Sequence, residues 1–187
     1  MKAILLPLCL ALLPLPAVAQ TTPRTTLAVP AEPAPAEPAP ERPKESQPRA
    51  NVNGQVTADN PEGMADLMRD FGYRAELTTD DQGDPKIRSG GGGANYSIYF
   101  YGCTDGKDCQ SIQFSAGFDL DAGTTLAVVN DWNTNKRFGK VYLDPDNDPY
   151  IEMDINLAFG GIGEDTFKDS LELWDRVLSD FQAHIDW

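Results

Sequence analysis

The sequence predicts an α+β domain, a mainly antiparallel sheet with helices packed on it, within residues 57–187. Three observations lead to this fold class. Apolar residues recur at helical spacing in three segments. Six other segments have the alternation and the β-branched or aromatic residues typical of strands. Strands adjacent in sequence are joined by short turns, which connect antiparallel neighbours. The predicted order is α-β-β-β-β-α-β-β-α.

Residues 60–72 predict the first helix. Asn60 is a favourable N-cap residue, Pro61 fits the first helical position, and Gly72 fits the C-terminal stop. One face of this helix is apolar because four residues recur at helical spacing: Met64, Leu67, Met68 and Phe71.

Two strand segments, "YRAELTT" and "KIRS", flank the turn "DDQGDP" and predict a hairpin. The glycine run "GGGGA", residues 90–94, predicts a flexible break before the third strand. It lacks the Gly-Lys-Ser/Thr ending of a phosphate-binding loop. "NYSIYFYGC" and "CQSIQFSAGF" follow as the strongest strand signals. Another hairpin is predicted around the turn "DPDNDP", which is flanked by the strand segments "RFGKVYLD" and "PYIEMDINL".

Two further helices complete the predicted domain. The segment "DAGTTLAVVNDWNTNKRFG" predicts the second helix, with Asp121 or Thr124 as its N-cap. The last helix is predicted from about Glu164. Its apolar residues form one continuous stripe, which is typical of a helix packed on a sheet: Phe167, Leu171, Trp174, Leu178, Phe181 and Ile185.

Residues 1–19 have the features of a cleavable signal peptide. Lys2 supplies a positive charge, a short apolar stretch follows, and small residues precede Gln20. The apolar stretch is too short to span a bilayer, so we expect no integral membrane segment after cleavage. Cys9 would be removed with the peptide. We therefore expect the chain in the periplasm or secreted, where cysteines meet an oxidising environment.

Residues 20–56 are rich in Pro, Ala and Glu and contain no aromatic residue. A segment of this composition buries too little apolar surface to offset the entropy of ordering. We expect a disordered, proline-rich linker that is extended toward polyproline II, either as a spacer or as an arm that binds a partner.

Charge narrows the range of partners. The whole chain has 15 Lys and Arg against 29 Asp and Glu. Removing residues 1–56 takes away five basic and four acidic residues and leaves ten against 25, a net charge of −15. Such a domain repels nucleic-acid phosphates and anionic lipids. The charge suits solubility, cations or a basic protein partner.

Cys103 and Cys109 are the two cysteines expected in the exported chain. A zinc site normally needs four ligands, and His184, the one histidine, is far along the sequence. Redox chemistry of the thioredoxin type favours Cys-x-x-Cys, which is absent here. Neither pattern fits, and a surface redox switch remains the alternative to a structural disulfide.

The register of a hairpin tests the disulfide. If Cys103 lies opposite Cys109, Phe100 faces Ile112 and Ile98 faces Phe114. In this register the apolar residues of one strand lie opposite apolar residues of the other. A two-residue turn at Asp105 and Gly106 would break this sorting by one position. The sequence therefore predicts a three-residue loop, Asp105 to Lys107, and a disulfide between opposed cysteines.

Two other clusters are candidate sites. Asp144, Asp146 and Asp148 alternate as calcium ligands do, but Pro149 and Ile155 stand where a calcium loop needs Gly and Glu. Asp, Asn and Pro are also usual hairpin-turn residues, so this is a weak metal candidate. A second cluster combines aromatic and basic residues, as a binding surface or as helix packing and helix-end charge: Trp132, Asn133, Lys136 and Arg137.

Several segments resemble the YbjN domain family of bacteria across residues 57–183, in the family's order. They include "MADLMRDFGYRAEL", "YSIYFYGC", "SIQFSAGFDL" and, most specifically, "WNTNKRFGKVYLD". The resemblance implies a fold similar to type III secretion chaperones and a label as a sensory transduction regulator. It implies no catalytic set.

The resulting hypothesis is an exported, non-catalytic binding module, with no cofactor, that recognises a protein or peptide through a sheet face, an edge or a groove. We expect no enzymatic activity, because no nucleophile motif or second histidine accompanies His184. The alternatives are a cation- or small-ligand-responsive sensor that uses the acidic turns, and an enzyme of unrecognised type. A homodimer is a further expectation from the resemblance to secretion chaperones.

Overall fold

The computed structural model describes residues 54–187. The predicted signal peptide, residues 1–19, and nearly all of the predicted linker, residues 20–56, lie outside this range. The linker boundary needs a correction, because Gln55 and Val56 form a short strand and Val56 is fully buried. Two residues are too few to show a periodicity, so the sequence contained no signal for this strand.

The structure contains the predicted order of elements and adds two short strands, one before α1 and one before α3. The helices are α1 (Pro61–Asp70), α2 (Leu126–Asn135) and α3 (Glu164–His184). The strands are β1 (Gln55–Val56), β2 (Glu76–Thr79), β3 (Pro85–Gly91), β4 (Ala94–Tyr101), β5 (Ser111–Gly117), β6 (Lys140–Leu143), β7 (Pro149–Asn156) and β8 (Ile162–Gly163).

Six strands form one sheet in the order β2-β3-β4-β5-β7-β6, and every neighbouring pair is antiparallel. Strands β1 and β8 form a separate antiparallel pair, which joins the start of the described chain to the residues just before α3. The predicted α+β class with a mainly antiparallel sheet is therefore confirmed.

The core lies between one face of the sheet and the helices. In α3 the predicted stripe is buried, and the Trp174 ring lies 5.5 Å from that of Phe114 and 6.0 Å from that of Tyr96. Trp132 of α2 meets Phe181 of α3 edge to face at 5.0 Å. Burial of these aromatic side chains is the main stabilising contribution, because each removes a large apolar area from water.

The helix N-caps follow the sequence in part. The Asn60 side chain accepts a hydrogen bond from the Gly63 amide at 3.0 Å, as predicted for α1. In α2 the capping residue is Thr125, whose hydroxyl accepts from the Val128 amide, rather than Asp121 or Thr124. All three candidates suit a cap, and the sequence contains no sharp apolar boundary to choose among them.

The glycine run is a tight turn and not a flexible break. Gly91 pairs with Ala94 across β3 and β4, so Gly92 and Gly93 form a two-residue hairpin loop, with φ of +55° and +87°. Two positive φ angles are what a type I′ turn requires. The turn also lies against α3, because a Cβ on Gly92 would be 2.3 Å from the Asp175 carbonyl oxygen.

The β4–β5 hairpin has the predicted register but a different tip. Phe100 faces Ile112, as the apolar sorting required. Thr104 pairs with Lys107, so the turn does consist of Asp105 and Gly106. The register survives because Asp108, at φ +53°, is an extra residue on the returning strand.

Beyond this tip the two cysteines lie side by side. The sulfurs of Cys103 and Cys109 are at bonding distance, and their Cα atoms are 3.9 Å apart. The disulfide thus closes the hairpin immediately outside the bulged turn, where Cys109 is buried against the core and Cys103 is only partly exposed.

Replacing Gly92 with alanine should destabilise the domain by roughly 3 kcal/mol or more, because a Cβ there meets backbone atoms of Asp175 at a positive φ. Urea unfolding measures this change. Gly83→Ala is the matched control, since Gly83 has φ +88° but open space around it. It should lose only about 1 kcal/mol. Equal losses would show that the contact with α3 is unimportant.

Replacing both cysteines with serine should lower the free energy of unfolding by about 2 kcal/mol, because the unfolded chain regains the entropy of a short loop. Urea unfolding of this variant and of the oxidised parent measures the difference. Treating the parent with a reductant should reproduce the loss. If the reductant has no effect and two free thiols are titrated in the untreated protein, no disulfide is present.

Candidate functional site: the open face of the sheet

The second face of the six-stranded sheet is not covered by any helix within residues 54–187. Along β3 and β4, and in the first half of β7, buried side chains alternate with exposed or partly exposed ones. The latter point away from α1 and α3, since alternate side chains of a strand point to opposite faces. We call this surface the open face. Its large side chains are tyrosines and charged residues, which can form aromatic and polar contacts with another molecule.

Four tyrosines lie on the open face: Tyr99, Tyr101, Tyr142 and Tyr150. The rings of Tyr142 and Tyr150 stack at 5.5 Å with 15° between their planes. Gly117 makes this possible, because a Cβ there would be 2.6 Å from the Tyr150 ring. On the other side of the face, Lys86 Nζ lies 4.5 Å above the Tyr99 ring, a cation–π contact.

Hydrogen bonds hold two of these tyrosines in place. The Tyr101 hydroxyl donates to Gln113 Oε1 at 3.2 Å, and Gln113 Nε2 donates to Asp154 Oδ1 at 2.9 Å. The Tyr142 hydroxyl donates to Glu152 Oε1 at 2.9 Å. The aromatic side chains are therefore oriented before any partner arrives, which lowers the entropy cost of binding.

Glu152 is the best-sheltered charge of the open face. Its side chain is 11% exposed, and Lys140 Nζ lies 2.8 Å from its second carboxylate oxygen. The hydrogen bond to Glu152 raises the pKa of Lys140. Burial, followed by the hydrogen bond to Glu152, raises the pKa of Tyr142. The raised pKa values keep Lys140 charged and Tyr142 neutral at neutral pH.

The sheet also contains a shallow hollow of about 410 Å³, which we call the serine pocket. Its lining includes Arg74, Glu76, Arg88, Asn95, Ser97 and Ser115. Ser97 of β4 lies opposite Ser115 of β5, and on its other side Ser97 lies opposite Arg88 of β3. Arg74 reaches across Gly90 and donates from one terminal nitrogen to Asn95 Oδ1, at 2.9 Å. The same nitrogen donates to the Ser89 carbonyl oxygen, also at 2.9 Å.

The structure places the aromatic and basic cluster away from the open face. Trp132 is buried, and its Nε1 donates to the Gly139 carbonyl oxygen at 2.9 Å. Lys136 pairs with Asp180 at 3.0 Å. Arg137 lies 5.1 Å from the Phe138 ring on the exposed surface. Trp132 therefore packs the core, while the two cations lie at the end of α2.

Asn133 has a specific structural role in this cluster. Its Nδ2 donates to the Val141 carbonyl oxygen and its Oδ1 accepts from the Val141 amide, both at 3.0 Å. These are the bonds that a neighbouring strand would make to β6. Asn133 thus closes the outer edge of the sheet at β6, which blocks the addition of another strand there.

The weak metal candidate is a structural turn. Asp144 Oδ1 accepts hydrogen bonds from the amides of Asp146 and Asp148, each at 2.9 Å. Asp148 Oδ1 accepts from the Leu120 amide at 2.9 Å. In the part of the chain that the structure describes, no group of three His, Cys, Asp or Glu side chains could hold a metal ion.

His184 contacts the core and not a reactive centre. Its Nε2 is 3.0 Å from the Val128 carbonyl oxygen, and its ring is 5.4 Å from that of Trp132. A histidine held between helices in this way joins α2 to α3. It is not positioned as a general base for any nucleophile of the open face.

The sequence hypothesis named a sheet face as one possible binding surface but did not identify the residues of the open face. Its signal was present, because tyrosines occupy the polar phase of β4, β6 and β7, where most strands carry small or charged residues. Aromatic residues are also typical of strands, so the same tyrosines predict strands as well as a surface. Which tyrosines share a face depends on the order of strands across the sheet, and this order is a property of the three-dimensional fold.

The fold and the open face define a class of protein: a small α+β domain with a one-sided antiparallel sheet and a preformed polar–aromatic surface. Residues 60–187 match the YbjN family, described as "Putative bacterial sensory transduction regulator". The chain belongs to this family. No curated protein matched the chain. Within residues 54–187, no helix has the length and apolar character needed to cross a membrane.

Replacing Asn133 with alanine should destabilise the domain by about 1–2 kcal/mol, because both of its backbone hydrogen bonds are lost. It should also promote self-association at micromolar concentration, since the β6 edge becomes available. Urea unfolding and light scattering measure the two effects. Asn135→Ala is the control, because Asn135 bonds only to the exposed Asp131 side chain. If both variants behave alike, the edge is not protected by Asn133.

Proposed function

We propose that this chain is an exported, non-catalytic binding module that recognises a protein or peptide partner in the cell envelope through the open face. The observation that carries the proposal is the set of four tyrosines on an uncovered sheet face, oriented by a stack and by hydrogen bonds. The family description as a regulator agrees with binding rather than catalysis.

Tyrosine is well suited to this role. It is enriched at the centres of protein interfaces, where it supplies a large contact area together with a hydroxyl group. Two of the four side chains are exposed, Tyr101 at 45% and Tyr142 at 39%. Because only two torsions per side chain need to be fixed, little entropy is lost when a partner covers them.

The size of the face favours a peptide or a transient partner over a stable dimer. Six strands about 4.8 Å apart span about 24 Å, and strands of about six residues are about 20 Å long. The face therefore measures roughly 500 Å². A standard stable interface takes about 800 Å² from each partner. An extended segment of about seven residues would span the width of the open face, about 24 Å, at about 3.3 Å per residue.

Export is supported by the signal-peptide features of residues 1–19 and by the cysteine pair. A disulfide persists in oxidising compartments, so the hairpin of β4 and β5 suits the periplasm or the exterior. This hairpin carries Tyr99 and Tyr101. The disulfide therefore supports the hairpin that carries two of the four tyrosines of the open face.

Photo-crosslinking from two positions tests the proposal. A photoreactive residue replaces Tyr99 on the open face or, as control, Glu172, an exposed residue of α3. We expect the Tyr99 position to give a discrete product with an envelope protein or peptide, identified by mass spectrometry, and the Glu172 position to give at least about tenfold less of it.

Three outcomes would contradict the proposal. Equal products from both positions would mean nonspecific contact, and products only from Glu172 would assign binding to the helical side. A product that contains only a second copy of the chain would replace the envelope partner with a homodimer. Tyr142→Ala combined with Tyr150→Ala provides a second arm, and should lower the yield of the product at Tyr99 without changing the melting temperature by more than a few degrees.

A further inference from the structure

The serine pocket contains hydrogen-bond donors that the fold does not use. Among the residues that the structure describes, the Arg88 guanidinium and the hydroxyls of Ser97 and Ser115 have no hydrogen-bond or ion-pair partner. Arg74 uses only one of its terminal nitrogens. These groups line one hollow on the open face. One hollow therefore contains several hydrogen-bond donors that the fold leaves free.

Charge and shape limit what these donors could bind. An arginine presents a planar fork that matches a carboxylate with two parallel hydrogen bonds. Glu76 lies opposite Arg88 on β2, yet no ion pair of 4.0 Å or less joins them, so the guanidinium stays available. Glu76 and the net charge of −15 oppose a polyanion. A ligand with one isolated negative charge suits both constraints.

Resting on the proposed function, we infer that the serine pocket binds a single carboxylate of the peptide partner, through Arg88 and the two serine hydroxyls. The carboxylate is either a C-terminus or an isolated Asp or Glu side chain, which present the same chemistry. Tyr99 lies two residues beyond Ser97 on β4, and Tyr150 pairs with Gly117, two residues beyond Ser115. Both are placed to contact the residues next to the bound carboxylate.

Arg88, Ser97, Ser115 and Glu152 are in register and form one row across the strands. The Glu152 end of this row explains the polarity of the pocket. Glu152 lies opposite Ser115, on the side away from Arg88. Its charge is taken up by Lys140 and by the Tyr142 hydroxyl. Lys140 is thus already paired, whereas Arg88 is not, so a carboxylate ligand is drawn to the arginine end. The row thus gives a bound peptide one orientation.

Nuclear magnetic resonance titration of the exported chain tests the inference. The probes are the acetylated tetrapeptide Ala-Ala-Phe-Ala with a free C-terminus, the same peptide as its amide, and acetylated Ala-Glu-Phe-Ala amide. Inorganic phosphate at matched ionic strength is the fourth probe. We expect at least one carboxylate peptide to shift the Arg88 Nε–H signal and the amide signals of Ser97 and Ser115, whereas the neutral amide does not. The two carboxylate peptides distinguish a C-terminus from a side chain.

Arg88→Gln should weaken binding of the carboxylate peptide by at least about tenfold, since a charge-assisted pair is lost. Arg176→Gln is the control. Arg176 is an exposed residue of α3, and its substitution changes the net charge by the same amount as Arg88→Gln. It should leave the affinity within about twofold. Arg88 is exposed, so both variants should fold, which their melting temperatures verify.

Three results would overturn the inference. The first is equal binding of the acid and amide peptides. The second is equal loss in the Arg88 and Arg176 variants, which would indicate nonspecific attraction. The third is phosphate binding that is tighter than carboxylate binding. If one of these occurs while Tyr99 still crosslinks to its partner, the pocket inference fails and the proposed function stands. If crosslinking at Tyr99 fails as well, both fail.

Discussion

The packing of α3 across one face of the sheet is the interaction on which the rest of the structure depends. Its stripe of buried side chains, centred on Trp174, meets aromatic residues from β4 and β5. Each such side chain contributes roughly 1.5–3 kcal/mol when buried, so the stripe accounts for a large share of the gross stabilisation. This packing of α3 on one side has a consequence for the other side of the sheet. A six-stranded sheet covered on one side leaves its second face to solvent, and that face is where the polar and tyrosine residues lie.

The approach of α3 to the β3–β4 turn brings a polar cluster into the interior. Tyr73 donates a hydrogen bond to Asp175 Oδ2 at 2.9 Å, while Asp175 Oδ1 and Trp174 Nε1 are buried without a partner in the described part of the chain. Desolvation raises the pKa of Asp175, and the bond from Tyr73 opposes that rise. A raised folded-state pKa means that this group favours the folded state most when it is protonated, and that its contribution is lost as pH rises through that pKa. Burial likewise raises the pKa of Tyr96 to about 12.

Much of the fold could be predicted from local pattern, because alternation and helical spacing are written in consecutive residues. The register of β4 and β5 was predictable for the same reason, since apolar sorting leaves one solution. The bulge at Asp108 was not, because one extra residue in αL conformation restores a register that a two-residue turn alone would break. The flexibility that the glycine run predicts is wrong at Gly92. Its close approach to Asp175 joins residues far apart in sequence and has no local pattern. The serine pocket combines residues of β3, β4 and β5 and needed the order of strands.

The two edges of the sheet differ from its open face in a way that bears on recognition. At β6, Asn133 occupies the Val141 backbone groups. At the other edge, β2 has only four residues. Because the Asp80 amide donates a hydrogen bond to the Asp84 carbonyl oxygen, alternate residues of β2 bond to β3. Within β2, only Leu77 and Thr79 therefore turn their backbone N–H and C=O groups outward. So short an edge offers a partner strand few hydrogen bonds. Backbone pairing, which is tolerant of sequence, is therefore restricted, while the side chains of the open face remain accessible. A partner of the kind proposed above would then be selected by side-chain chemistry rather than by backbone pairing.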